Sequence, residues 1–213
     1  MIDNLHYISQ EPRTGTHLTA ISQALQAGCQ WIQLRIKDQP AELILEHAME
    51  ANRLCKQHGA KLIVNDHPRI ALEVGAYGVH LGLQDMSISL AREIVGPNMI
   101  IGGTANTYQH VTQRIAEGAD YIGLGPYRFT KTKKNLSPVL GWPGINAIMQ
   151  ELGTAAIPVI AIGGILAEDI PALMQTGVHG VAVSGAITFA ANPAAIVRDM
   201  YHALNTPSLN FKS

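Results

Sequence analysis

Cysteine is scarce in this chain of 213 residues, which holds only Cys29 and Cys55. The two lie far apart without metal-type spacing, and a pair in so large a chain is no disulfide scaffold, so reduced thiols in a cytoplasmic protein are expected. An excess of either charge is lacking as well: 15 Lys plus Arg stand against 16 Asp plus Glu, for a net charge of -1. That balance gives no electrostatic argument for nucleic acid or an acidic membrane surface, and any cationic site must be local. No apolar run approaches a membrane span, and Met1 to His6 has no basic region followed by an apolar stretch, so a soluble, unprocessed protein without membrane contact is expected. Missing too are the Gly-x-Gly-x-x-Gly dinucleotide pattern and the Gly-x-Ser-x-Gly elbow of a serine nucleophile. His80 has no second His or Cys at metal spacing, so it reads as a hydrogen-bonded structural histidine and no zinc is expected.

What the chain does have is rhythm: short apolar runs alternate with amphipathic stretches eight times. The strands are expected at His6 to Ser9, Trp31 to Lys37, Lys61 to Asn65, Gly78 to Gly82, Met99 to Gly102, Tyr121 to Gly125, Pro158 to Ile162 and Gly180 to Ser184. The helices between and after them are expected near Thr16 to Ala27, Pro40 to His58, Arg69 to Val74, Ser87 to Val95, Thr107 to Glu117, Pro143 to Leu152, Glu168 to Gln175 and Pro193 to Leu204. Strands rich in Val, Ile and Leu, each followed by a helix, describe a parallel sheet covered by helices, and eight units favour closure into a (β/α)8 TIM barrel. Residues 1–205 are expected to form one catalytic domain and 206–213 a loose tail. The rhythm breaks once, over Pro126 to Gly141, and loops of that length are usually functional lids or disordered.

In Trp31 to Lys37, three aliphatics alternate with Gln33, Arg35 and Lys37, so one strand would aim two cations the same way. Unpaired buried charge costs several kcal/mol, so an anion should sit opposite. Active sites of such barrels gather at the C-terminal strand ends, where Asn65, Asp66 and Asp85 also fall. Two neighbouring carboxylates repel unless a proton or cation separates them, and oxygen ligands with phosphate oxygens suit Mg²⁺. The alternative is that Asp66 and Asp85 each cap a helix start, and spacing alone leaves both open. The cations Arg35, Lys37 and Lys133 on the same face favour the metal. Gly163 and Gly164 after strand seven, with Ser184 and Gly185 after strand eight, fit a phosphate cup, because backbone N–H groups can approach an anion closely there. The stretch Thr130 to Lys134 is a solvated charge run or a lid of Lys and Thr donors over a pyrophosphate.

Taken together, Gln33-Leu34-Arg35-Ile36-Lys37, Asn65-Asp66, Gly78-Val79-His80-Leu81-Gly82 with Asp85, Asp120 to Pro126, Thr130-x-Thr132-Lys133 and Ala161 to Ile165 resemble the thiamine-phosphate synthase family, in order and over nearly the whole chain. The resemblance implies a barrel transferase that joins a hydroxymethylpyrimidine diphosphate to a thiazole phosphate, releasing pyrophosphate. It implies that Gln33 meets the pyrimidine, that Arg35, Lys37, Asn65 and Lys133 meet the pyrophosphate, and that Arg35, Lys37 and Lys133 carry the catalysis. Asp66 and Asp85 become magnesium ligands. Thr104, Thr130 and Thr132 take substrate contacts, and Gly164 the thiazole phosphate, with Ser184 and Gly185 beside it. The implied mechanism is dissociative. Three departures stand out: Leu83-Gln84 where the family has Gln-Glu, Thr104 where it has mostly Ser, and Ser184-Gly185 where its serine comes one position later. A related thiazole tautomerase uses a His where this chain has Asn106, which cannot act as a base near neutral pH. A catalytically silent binder of thiamine intermediates is the third reading. The sequence leaves a homodimer open.

Overall fold

The computed structural model describes residues 1–130, 137–154 and 157–206. The eight strands are β1 (Leu5–Ile8), β2 (Trp31–Leu34), β3 (Lys61–Asn65), β4 (Gly78–Leu81), β5 (Ile100–Ala105), β6 (Tyr121–Leu124), β7 (Val159–Ile162) and β8 (Gly180–Val183). Each pairs in parallel with the next, and β8 returns to β1 through Leu5 opposite Val181, so the sheet closes into a TIM barrel. The helices are α1 (His17–Gln26), α2 (Ala41–Gln57), α3 (Pro68–Glu73), α4 (Ile88–Val95), α5 (Tyr108–Ala116), α6 (Gly141–Leu152), α7 (Ile170–Met174), α8 (Gly185–Thr188) and α9 (Pro193–Asn205). A 3₁₀ turn, Ala167–Asp169, leads into α7. Among the described residues no helix is long and apolar enough to cross a membrane.

Local signals explain the helix starts. Ser87 Oγ accepts from Leu90 N–H, Thr107 Oγ1 from His110 N–H and Asn192 Oδ1 from Ala195 N–H, so each satisfies a first-turn donor and contributes about 1 kcal/mol. In α2 the buried Ile44, Ala48, Ala51 and Cys55 recur at helical spacing and face the sheet. The strand residues split between two cores. Outward-pointing Leu5, Ile32, Leu62, Val79, Ile101, Ile122, Val159 and Val181 pack under the helices. Inward-pointing Trp31, Ile63, Tyr121 and Ile160 fill the barrel.

That inner filling is aromatic. His6 stacks on Trp31 with centroids 4.6 Å apart, and Tyr121 meets both rings edge-on. Tyr77 adds a further edge contact to Trp31, and Lys61 lies over Tyr77. Room for these rings comes from missing side chains: a Cβ on Gly102 would lie 2.1 Å from Tyr121 Cζ. The barrel is therefore closed at the N-terminal end of its strands.

Two expectations need correction. The second strand stops at Leu34 and does not run to Lys37. Ser9 is the reason: its N–H continues the ladder to Gln33 O, but its Oγ then accepts the Arg35 N–H, so a side chain replaces the next ladder partner. The four-residue α8 lies where only the end of strand eight was expected. Of the expected tail, Thr206 is described, and its Oγ1 donates to His202 O at the end of α9.

Candidate active site

At the C-terminal end of the barrel opens a cleft of about 470 Å³. Strand register builds its floor. Asn65 is opposite His80, and the inward-facing Gln33, Asn65, His80 and Thr104, from four successive strands, all line the cleft. Ile8, Ile162 and Ala182 complete the floor on the apolar side. Loops supply the wall: Arg35, Lys37, Asp38, Asp66, Gly82 to Asp85, Thr130, Gly163, Gly164 and Ser184 all line it. Arg35 and Lys37 reach the cleft from the loop after β2, beyond the strand expected to carry them.

Lys37 Nζ contacts Asp66 Oδ2. Asp66 in turn faces Asp85, whose Oδ2 accepts the Gly82 N–H at 2.6 Å. Burial and the hydrogen bond shared with Asp85 raise the Asp66 carboxyl above the ordinary range despite Lys37. Burial pushes Asp85 the same way, but hydrogen bonds from Asp66 and Gly82 outweigh it and hold Asp85 low. The two carboxylates are thus pushed in opposite directions, Asp66 up and Asp85 down. Neither aspartate caps a helix, since the caps of α3 and α4 are His67 and Ser87, so the capping alternative fails. Asp66 also sits at φ +66°, a left-handed backbone that few non-glycine residues adopt and that marks strain held by its surroundings. Burial lowers the Arg35 guanidinium, opposed by Asp66 and Asp38.

Among the described residues no group of three or more His, Cys, Asp or Glu could hold a metal by itself. Two neighbouring carboxylates that perturb each other's ionisation fit an ion that takes one or two protein oxygens and draws its other ligands from water and phosphate, as Mg²⁺ does.

Among the described residues, two residues that line the cleft have a buried polar atom without a hydrogen-bond partner, Asn65 Nδ2 and Ser184 Oγ. Buried donors are rarely left unsatisfied, and a ligand there would complete them. Gly163 and Gly164 also line the cleft, and their need for glycine has a second cause: a Cβ on Gly163 would lie 2.7 Å from Pro126 Cβ. Gly185 opens α8 and is not among the residues that line the cleft. Thr132 and Lys133 lie outside the described residues.

His80 is hydrogen-bonded through both ring nitrogens, as its reading as a structural histidine expects. Its Nδ1 bonds the Tyr121 hydroxyl and its Nε2 the Thr104 hydroxyl, both at 3.0 Å, so it joins the aromatic filling to the cleft. A Cβ on Gly123 would lie 3.1 Å from His80 Cε1, so glycine makes space for the imidazole. Asn106 uses its amide donors on Gly125 O at 2.8 Å and Pro138 O at 2.9 Å, and does not line the cleft.

Comparison with known proteins decides what this cleft serves. The family model described as thiamine monophosphate synthase matches residues 5–187. The chain belongs to the thiamine monophosphate synthase family. Thiamine-phosphate synthase of Bacteroides thetaiotaomicron is 48% identical over 197 residues, covering 92% of this chain and 94% of that one. The Flavobacterium psychrophilum thiamine-phosphate synthase is 46% identical over 202 residues, covering 94% and 98%. Among solved structures, thiamine phosphate pyrophosphorylase from Pyrococcus furiosus superposes with a TM-score of 0.82 at 31% identity, covering 94% of this chain and 95% of that one. The chain is accordingly a transferase of thiamine biosynthesis with thiamine-phosphate synthase activity.

Proposed function

We propose that the cleft couples 4-amino-2-methyl-5-hydroxymethylpyrimidine diphosphate with 4-methyl-5-(2-phosphoethyl)thiazole, or its carboxylated form, in the cytoplasm. The observation that carries the reading is the Asp66 and Asp85 pair with Lys37 and Arg35 beside it. Gln33 takes the pyrimidine, and Thr104 lies within reach of the same ring. The diphosphate lies along Arg35, Lys37 and the orphaned Asn65 Nδ2, joined by Lys133. Thr130 and Thr132 contact the thiazole side or the leaving group. The thiazole phosphate lies at Gly164, with Ser184 and Gly185 opposite.

Asp66 and Asp85 would hold Mg²⁺, which when bound adds positive charge beside the diphosphate. The chain's own contribution is charge and position. As the carbon–oxygen bond parts, Arg35 and Lys37 face growing negative charge on the leaving pyrophosphate, and fixed charges in a partly dry cleft need no reorganisation to meet it. The electron-rich pyrimidine carries the resulting cation until the thiazole nitrogen captures it. No protein nucleophile is required, and holding the two rings in line supplies much of the rate. A thiazole tautomerase would need a base near Thr104, and the amide of Asn106 is committed to backbone carbonyls.

Purified protein mixed with both substrates should release pyrophosphate only with Mg²⁺ present. No release together with tight thiazole phosphate binding would replace this reading with the tautomerase or the silent binder. Sedimentation of the same sample reads whether the working form is a homodimer.

A further inference from the structure

Arg114 lies behind the cleft, on the helix side of the sheet, and is only 4% exposed. It reaches from α5 across Gly103, where an added Cβ would stand 3.0 Å from Arg114 Cδ. Its guanidinium makes three contacts. Nη2 donates to Gly82 O at 2.8 Å, Nε more loosely to Thr104 O at 3.4 Å, and Nη1 to Glu117 Oε2 at 2.8 Å. Glu117 Oε2 also accepts the N–H of Ile88, the first residue of α4, at 3.2 Å. Burial disfavours the Glu117 carboxylate, yet hydrogen bonds from Gln113, Arg114 and Ile88 together hold it below its usual range.

The two carbonyls that Arg114 grips belong to residues with work on the other side of the sheet. Gly82 gives its N–H to Asp85 Oδ2 at 2.6 Å, and the Thr104 hydroxyl is hydrogen-bonded to His80 Nε2 in the cleft. Each backbone is therefore fixed from behind by Arg114 and loaded from the front by a cleft group. A side chain present only to fill space behind Gly103 would need no charge, and burying one is unfavourable unless its geometry is used. The planar fork suits a task of spanning a carboxylate and separate carbonyls, which a lysine cannot do.

We propose that Arg114 is a positioning residue for the metal and diphosphate end of the cleft, setting the Gly82 and Thr104 backbones and through them the direction of the Asp85 carboxylate and the Thr104 hydroxyl. The inference rests on the function proposed above. It assigns no contact between Arg114 and substrate.

Two variants test it. Arg114→Lys keeps a charge opposite Glu117 and with it the fold, but releases the carbonyls. Arg114→Met combined with Glu117→Gln removes both charges and keeps the packing volume. Calorimetry with inorganic pyrophosphate and Mg²⁺ should show binding weakened about 10-fold or more in both, with kcat lowered about 10- to 100-fold, the scale of a small misplacement of catalytic groups. The KM for thiazole phosphate, held across the cleft at Gly164, should stay within about two-fold, since that wall is not gripped by Arg114. Folded variants that bind pyrophosphate and turn over like the wild type overturn the proposal, as does an equal loss in both substrates, which marks general loosening. A wild type that binds no pyrophosphate sinks the proposed function itself, and this inference with it.

Discussion

Gly164→Ala tests the phosphate end of the cleft, and the fold supplies its own control. Gly164 and Gly59 have nearly the same backbone, φ +68° and φ +67°. An alanine in that left-handed region costs about 1–2 kcal/mol at either place, and both variants lose the same freedom in the unfolded chain. Their surroundings differ. At Gly59, after α2, a Cβ would meet nothing within 4 Å, whereas at Gly164 it would stand 3.0 Å from Arg128 Cβ and 3.3 Å from Phe129 O. Arg128 cannot easily retreat, because its N–H bonds Gly163 O at 2.8 Å and its guanidinium bonds Gly164 O at 2.7 Å and forks onto Asp169. Overpacking should add about 1–3 kcal/mol, bringing Gly164→Ala to about 2–5 kcal/mol against about 1–2 for Gly59→Ala. If the loop yields to the methyl, the backbone amides shift away from the place proposed for the thiazole phosphate. Losing one hydrogen bond to a charged group is worth about 1.5–3 kcal/mol, or roughly 10- to 100-fold in KM for that substrate. Urea unfolding midpoints and KM values for both substrates read the two effects separately. Identical midpoints and identical thiazole phosphate KM values for the two variants would refute the packing argument and the phosphate assignment together.

Asn65→Ala should leave the free protein's stability within about 1 kcal/mol, because the lost amide had an unpartnered donor, while weakening pyrimidine diphosphate binding; titration calorimetry and urea melts distinguish this from a structural asparagine. Asp85→Asn should lower kcat about 100-fold or more with little change in melting temperature, and a near-normal rate at any Mg²⁺ concentration would remove its assignment. Lys37→Met should slow turnover while making Asp66 harder still to ionise, so the activity profile of the variant should shift to higher pH. Burial pulls the His6 pKa from 6.5 down to about 3 against its bond to Asp3 O. The unfolded chain therefore takes up this proton first as pH falls, and about 2 kcal/mol of stability should go between pH 7 and pH 5. Asp66, raised, acts in the opposite sense and is common to every sample, so a shallower pH dependence in His6→Gln isolates the histidine; an unchanged slope contradicts its burial.

The barrel was legible because its information is local. Runs such as Lys61 to Asn65 and Val159 to Ile162 announce strands by themselves, and eight of them leave few ways to close a sheet. The end of β2 was not legible, since it depends on Ser9, a residue just past β1, taking the Arg35 N–H. Gln33, Asn65, Asp66, Asp85 and Thr104 come together as expected because each stands at or just past a strand end, a position readable from pattern. Arg114 was missed for the opposite reason. A charged residue on an amphipathic helix ordinarily faces water, and this one is buried because β5 carries Gly103 against it and Glu117 lies one turn on. A signal did exist in the paired Gly102 and Gly103 followed by that charge pair. His80 likewise depends on Gly123 and Tyr121 across two strands, a coincidence that no single stretch reveals.

The stack of His6, Trp31 and Tyr121 turns the barrel into a vessel with one doorway. Both reactants and both products must pass the same rim, where Lys37 is 44% exposed, while Gln33, Asn65 and His80 lie far down at 5%, 6% and 6%. Whatever settles on those inner groups lies beneath that rim, so an occupant of the outer cleft should slow its exit.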